Sequence, residues 1–223
     1  MELLPTLTIV DLKAGARKFA YELDGQPIPE PFETRNDGKS IGTYVEQAFR
    51  HYLAEKYTFT QGNSASGIDF PDIGVDVKTT STKQPQSSCP FSNATQKVYG
   101  LGYHILIFEY EKSDDRNASM AHLHVRNVVF LEKERTADYQ TTVGILGILQ
   151  RNGNRDDIEA FLEERNLPLD EVGRRTLAER IINEPPKPGY LTISNALQWR
   201  LQYTRAITLA VNGDTEGVES LYG

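Results

Sequence analysis

Apolar positions along the chain recur with two periods, and the switches between them mark out the elements. Over residues 8–23, Ile9, Leu12, Ala16, Phe19 and Leu23 repeat at helical spacing, with Thr8 where an N-cap belongs. A second helix, capped by Ser40 and running to about residue 57, carries a buried stripe of Ile41, Val45, Ala48, Phe49, Tyr52 and Leu53. Between them, Gly25, Pro27, Pro29 and Pro31 make residues 24–38 a loop. Residues 57–60 form a candidate strand, 103–110 the strongest strand of the chain and 122–132 a further one. Pro85, Pro90 and a run of Ser, Thr and Cys predict a polar loop over 80–91, and 93–100 reads as a short helix closed by Gly100. Strand, short helix and strand then predict a parallel crossover. From residue 136 onward the pattern predicts helices at about 136–151, 156–166, 170–183 and 194–210, the last capped by Ser194 and Asn195 and set off by the Pro-rich stretch 185–189.

In residues 66–80, charged groups interrupt a β-branched run, and the stretch predicts two short strands joined by a tight turn at Pro71-Asp72. Side chains alternate between the faces of a strand, so Asp76 and Lys78 share one face while Val75 and Val77 share the other. If the turn spans an even number of residues, Asp69 pairs opposite Gly74 and joins them, and the missing side chain of Gly74 leaves room for an ion. Unpaired charges are expensive on a strand whose valines are buried, so the acids and the lysine are expected to act together. A hard cation such as Mg²⁺ takes one or two carboxylates, keeps several waters and draws its other ligands from phosphates. Phosphodiester hydrolysis uses such an ion, with Lys78 orienting the attacking water or stabilising the developing charge. The competing reading makes Asp69 and Asp76 turn and edge residues and Lys78 a solvated edge charge.

Asp69, six residues, then Asp76-Val77-Lys78 resembles the signature of the PD-(D/E)XK nuclease superfamily, the fold of many type II restriction endonucleases. The wording from Asp69 to Thr79 is similar to the hairpin motif of the MutH-like subgroup, which contains a mismatch-repair nicking endonuclease. The resemblance implies that Asp69 and Asp76 are metal ligands and Lys78 the catalytic lysine. It further implies that Gly42-Thr43-Tyr44-Val45-Glu46 supplies a Glu on a preceding helix, although Asp76 stands where that subgroup has Glu and the gap from Glu46 to Asp69 is longer. The similarity covers residues 42–80. Without it, Glu46 reads as an i,i+4 partner of Arg50.

Composition narrows the class without choosing it. The 223 residues suffice for one well-buried core with an appended helical part, and 39% hydrophobic with 25% charged residues describes an ordinary globular protein. No apolar run is long enough to span a membrane, the N-terminus has no signal-peptide pattern, and the lone Cys89 fits a reducing cytoplasm. A net charge of −7 argues against a broadly basic nucleic-acid binder but leaves room for a local cationic groove. In the second half of the chain 11 of 14 cations are Arg, the side chain suited to phosphate and guanine.

The expectation is one α/β endonuclease domain over 1–223. Its PD-(D/E)XK-like core occupies about 40–132, with the hairpin at the centre of a mixed sheet flanked by helices, and the C-terminal half, about 136–223, is helical. The expected activity is Mg²⁺-dependent, sequence-specific cleavage of double-stranded DNA by a type II restriction enzyme acting as a homodimer. Asp69 and Asp76 hold the metal, Glu46 takes a second metal position or one just outside the ligands, and Lys78 serves the water. Arg35, Asn36, Lys39, Lys83, Gln96, Lys97, Arg200 and Arg205 are candidate DNA contacts. The alternatives are a MutH-type nickase and a non-catalytic DNA-binding or protein-interaction module.

Overall fold

The computed structural model describes residues 4–28, 38–62, 67–89, 93–115, 120–194, 199–213 and 215–223. Helix α1 (Ile9–Leu23) starts as the sequence predicts: Thr8 caps it, and Asp11 returns a carboxylate to the Thr8 N–H in a capping box. After a two-residue strand β1 (Gln26–Pro27) comes α2 (Gly38–Ala54), which already contains Ser40, so Ser40 is not its cap. A 3₁₀ turn (Pro71–Ile73) leads into β2 (Val75–Ser81), followed by β3 (Gln86–Cys89), α3 (Gln96–Tyr99), β4 (His104–Asp115) and β5 (Met120–Leu131). The remainder is α4 (Tyr139–Gln150), α5 (Arg155–Glu164), α6 (Glu171–Asn183), β6 (Thr192–Ile193), β7 (Trp199–Gln202), α7 (Thr204–Asn212) and β8 (Val218–Tyr222).

Two sheets result. In the larger, β2 runs parallel to β4, β4 antiparallel to β5, and the far edge of β5 is shared by β1 and β8. The predicted parallel crossover from β2 to β4 is present, but β2 lies at the edge of this sheet and not at its centre. The smaller sheet, β3-β7-β6, is wholly antiparallel. The architecture is thus mixed α/β, with a mixed main sheet between layers.

Alternation along the strands sorts the cores. Val75 and Val77 of β2 and Phe108 of β4 pack with Leu12 and Phe19 of α1 and Val45 and Phe49 of α2. Ile105, Ile107, Val129 and Leu131 point the other way, onto Trp199, Leu201 and Ile207 of the smaller sheet and α7. A third cluster joins Val98 of α3 to Ile145, Ile158, Leu162, Leu177 and Ile181 of α4–α6.

Three expectations are corrected. Residues 194–210 are not one helix: Trp199 and Leu201 are buried while Arg200 and Gln202 are exposed, a period-2 pattern that makes β7, and the helix begins only at Thr204. With β6, β7 and β8 in it, the C-terminal half is not simply helical. The polar stretch 80–91 contains β3, whose Cys89 is buried and whose Ser87 turns inward while Gln86 and Ser88 lie on the other face. Finally, the first strand of the expected hairpin reduces to one bridge, Phe70 with Val75, closed by the 3₁₀ turn.

Candidate active site

The turn before β2 is held from two directions. Gly74 ends it in the left-handed conformation (φ 61°), which glycine adopts without a Cβ penalty. That backbone requirement, and not the room left for an ion, accounts for the glycine. Asp72 accepts the Thr60 N–H at 2.7 Å, and Gly62 donates to the Asp69 carbonyl at 2.9 Å. The two segments run so close at Gly62 that a Cβ there would lie 1.7 Å from the Ile68 carbonyl oxygen. Four residues separate the bridged Phe70 and Val75, the even count that keeps Asp69 on the side of Asp76.

Because β4 pairs with only one side of β2, the main-chain donors of its other side need partners. Val75 donates to the Phe70 carbonyl. Val77 N–H goes to Asp69 Oδ2 at 2.9 Å, and Thr79 N–H to Glu46 Oε1 at 3.1 Å. Two carboxylates from distant parts of the chain are thereby fixed along one strand edge. Arg50 pairs with Asp69 (3.4 Å) rather than with Glu46, so the i,i+4 reading of Glu46 does not hold.

Asp76 lies on the face of β2 turned from α2, and Lys78 Nζ is 2.6 Å from its Oδ2. Burial pushes the Asp76 carboxyl up to about 7, with Lys78 offsetting part of the rise and Asp69 adding to it. Burial likewise raises Glu46 to about 7, opposed by Lys78 and reinforced by Asp69 and Asp76. For Lys78 burial works against the charge, but Asp76, Glu46 and Asp69 outweigh it and hold the ammonium above its ordinary value. Three carboxylates therefore face two cations, Lys78 and Arg50. Behind Asp76, burial holds the Tyr103 and Tyr203 phenols protonated; Tyr203 bonds Ser87 and Tyr103 bonds Cys89.

A cleft of about 960 Å³ opens along this edge, with Glu46 and Lys78 on its wall; Asp69 and Asp76 reach it only through Lys78 and do not line it themselves. Lys78 has 22% of its side chain exposed against 4% for Asp76, so the ammonium covers the buried acid. Among the described residues, no three His, Cys, Asp or Glu side chains converge tightly enough to enclose an ion by themselves. The donor set nonetheless suits a hard cation, which needs only one or two carboxylates beside water and phosphate oxygen, and a positive group already occupies the Asp76 oxygen.

Of the expected DNA contacts, Lys39, Lys83 and Arg200 are exposed on the cleft wall. Arg205 is exposed elsewhere and lies 3.4 Å over the Tyr139 ring. Gln96 donates to the Leu101 carbonyl, and Lys97 is only 1% exposed, 5.5 Å from the Trp199 ring. Burial lowers the Lys97 pKa, against the pull of Asp138, and its inward position does not suit the expected DNA contact. Arg35 and Asn36 lie outside the described residues. Sequence reasoning missed Arg50 as the partner of Asp69, since helical spacing offered a nearer acid. It also missed the Tyr103–Cys89 and Tyr203–Ser87 wall, for which no local signal exists.

The chain belongs to a family of type II restriction enzymes: the family model described as type II restriction enzyme NspV matches residues 6–220. The protein is accordingly a site-specific deoxyribonuclease with DNA as its substrate, and the non-catalytic reading is set aside. The type II restriction enzyme NspV of Nostoc sp. is 51% identical over 216 residues, 97% of each chain. No solved structure matches.

Proposed function

We propose that cleavage is carried out at the outer edge of β2 by a PD-(D/E)XK-type site, with Asp69 and Asp76 as ligands of Mg²⁺, Glu46 as a further carboxylate and Lys78 as the catalytic lysine. The observation that carries this reading is the Asp76–Lys78 contact on a strand whose free edge is capped by the other two acids, with Lys78 and Glu46 on the wall of an open cleft. A bound Mg²⁺ would neutralise charge on the scissile phosphate and lower the pKa of a coordinated water. Lys78, displaced from Asp76 by the ion, would then turn its ammonium to the attacking water and to the phosphoryl oxygens. Glu46 Oε1 stays with the Thr79 N–H, which leaves Oε2 for the ion or its water.

We further infer that the chain works as one endonuclease domain in the cytoplasm and pairs into a homodimer on DNA. Each chain carries one Asp69/Asp76/Lys78 set, and such a set cuts one strand, so cutting both strands together needs two chains placed by a two-fold axis. Purified Lys78→Ala and Asp76→Ala tested on supercoiled plasmid with Mg²⁺ should lose at least about 10³-fold in rate, roughly 4 kcal/mol of barrier. Turnover of Lys78→Ala near the unmodified rate would remove the site assignment. Sedimentation of the DNA complex with early plasmid products tests the pairing: two chains and linear product support it, whereas one chain giving only nicked circles points to a MutH-like nickase.

A further inference from the structure

The smaller sheet has two unlike faces. Cys89, Trp199, Leu201 and Ile193 turn inward to the second core, and Ser87 turns in to bond the Tyr203 hydroxyl. The opposite face is polar and open. Gln86 of β3 sits directly across from Gln202 of β7, Ser88 across from Arg200, and Thr192 of β6 flanks Gln202 on its other side. These five side chains carry one positive charge and no negative charge. Arg200 and Gln202 are exposed, and Gln86, Ser88 and Arg200 line the same cleft as Lys78 and Glu46. Among the described residues, none pairs with the Arg200 guanidinium or the Gln86 and Gln202 amides, whose donors and acceptors stay available to a ligand. The sheet is also firmly placed. β3 follows β2 after one turn, the Gln86 N–H is bonded to Thr80 Oγ1 of β2 at 2.9 Å, and the Tyr203 N–H to the Pro85 carbonyl at 2.8 Å.

We propose that this outward face of β3 and β7 is the base-reading surface, with Arg200 reading a guanine and the Gln86–Gln202 pair an adenine in the major groove. The inference rests on the proposed reading that DNA lies in the cleft beside Lys78. A phosphate-binding surface would be rich in cations, whereas four of these five groups are neutral hydrogen-bonding side chains. The major groove, about 12 Å wide, admits a two-stranded ribbon. Only there does an amide meet the acceptor-donor pair of adenine N7 and N6, and a guanidinium fork the two acceptors of guanine. Both residue types stand on a sheet locked to β2, which sets the base positions in register with the bond to be cut.

The test uses the full chain with Ca²⁺, after the cognate sequence has been mapped by cleavage. Equilibrium binding is measured for the cognate duplex and for duplexes changed at one base pair each, with unmodified protein, Arg200→Ala, Arg200→Lys, Gln202→Ala and Gln86→Ala. Arg200→Ala should bind the cognate about 5- to 150-fold more weakly and become indifferent to substitution at one G·C pair, while still rejecting changes elsewhere. Arg200→Lys should behave like Arg200→Ala, because the charge remains but the fork is gone. The glutamine variants should lose discrimination at A·T pairs. Uniform weakening on every duplex, rescue by Arg200→Lys, or an unchanged profile would each overturn the proposal. Arg200 and Gln202 are exposed and Gln86 is half-buried, and unchanged melting curves certify the fold of each variant. Since nothing is cut in the readout, failure of the Asp76 and Lys78 assignment would show separately, as persistent cleavage by the Lys78→Ala protein.

Discussion

Among the described residues, two buried lysine–aspartate clusters are built in opposite ways. Around Asp138 the acid is fully committed to the fold: Oδ2 accepts from the Thr141 N–H and hydroxyl, Oδ1 from the Ile193 N–H, and Arg165 stands 3.8 Å away. Its main-chain N–H also holds the Lys97 carbonyl, so one residue ties α3, α4 and β6 together. At β2, by contrast, Asp69 and Glu46 each use one oxygen on a main-chain donor, Asp76 holds Lys78 and meets Asp69, and the three carboxylates exceed the two cations, Lys78 and Arg50. A charge cluster that stabilises a fold satisfies its acids internally. The β2 cluster instead leaves Asp76 and Glu46 raised in pKa, with Glu46 and Lys78 facing a cleft.

The sharpest way to break this contrast is to remove one aspartate from each cluster. Asp138→Ala should destabilise the protein by on the order of 3 kcal/mol, since buried donors lose their acceptor, while the folded fraction keeps its turnover per molecule. Asp76→Asn should do the reverse, with cleavage lost by at least about 10³-fold and the melting temperature held or raised. Thermal melts paired with plasmid digestion decide it, and a stable but inactive Asp138→Ala protein would erase the distinction.

Glu46→Gln keeps an acceptor for the Thr79 N–H but loses the charge, and should cost about 10- to 100-fold in cleavage rate without a change in stability. Full activity would return Glu46 to a structural role.

The next prediction concerns pH. Asp76 and Glu46 titrate near 7 in the fold and near 3.8 and 4.5 as ordinary carboxyls, so the folded state holds more protons across that interval. Stability is thus greatest below the ordinary values and declines as pH rises through about 7. The metal-free protein should lose on the order of 5 °C in melting temperature between about pH 5.5 and 8, Asp76→Asn should flatten the slope, and a divalent cation should oppose it at high pH. A melting temperature that climbs with pH would contradict the electrostatics. The smallest effect belongs to Arg50→Met, which loosens Asp69 from a partly buried ion pair of 3.4 Å and should change stability by about 1 kcal/mol and cleavage by a few-fold.

Asp69, Asp76 and Lys78 were legible because they fall within one short stretch that an even turn brings onto one face, whereas Glu46 was legible only through the resemblance of Gly42 to Glu46, its helical spacing pointing to Arg50. The edge position of β2 was not legible, since strand order depends on which partners arrive from β4 and β8. Lys97 misled because a four-residue helix is too short to display a face. Trp199 to Gln202 did alternate in the sequence, but the run is short and adjoins a helical one, so the longer period absorbed it. Gly74 was rightly noticed for the wrong reason, as backbone conformation and not open space fixes it.

The carboxylates that cap β2 have a consequence for the behaviour of the protein in concentrated solution. The open side of a strand is a template on which another chain can add itself, and here the Val77 and Thr79 donors are covered by Asp69 and Glu46. The same acids proposed to hold the metal therefore also keep β2 from acquiring an unwanted neighbour. A combined Asp69→Ala and Glu46→Ala protein would present a bare strand edge beside Val75 and Val77, and its tendency to self-associate into sheet-like aggregates should rise well beyond that of Lys78→Ala.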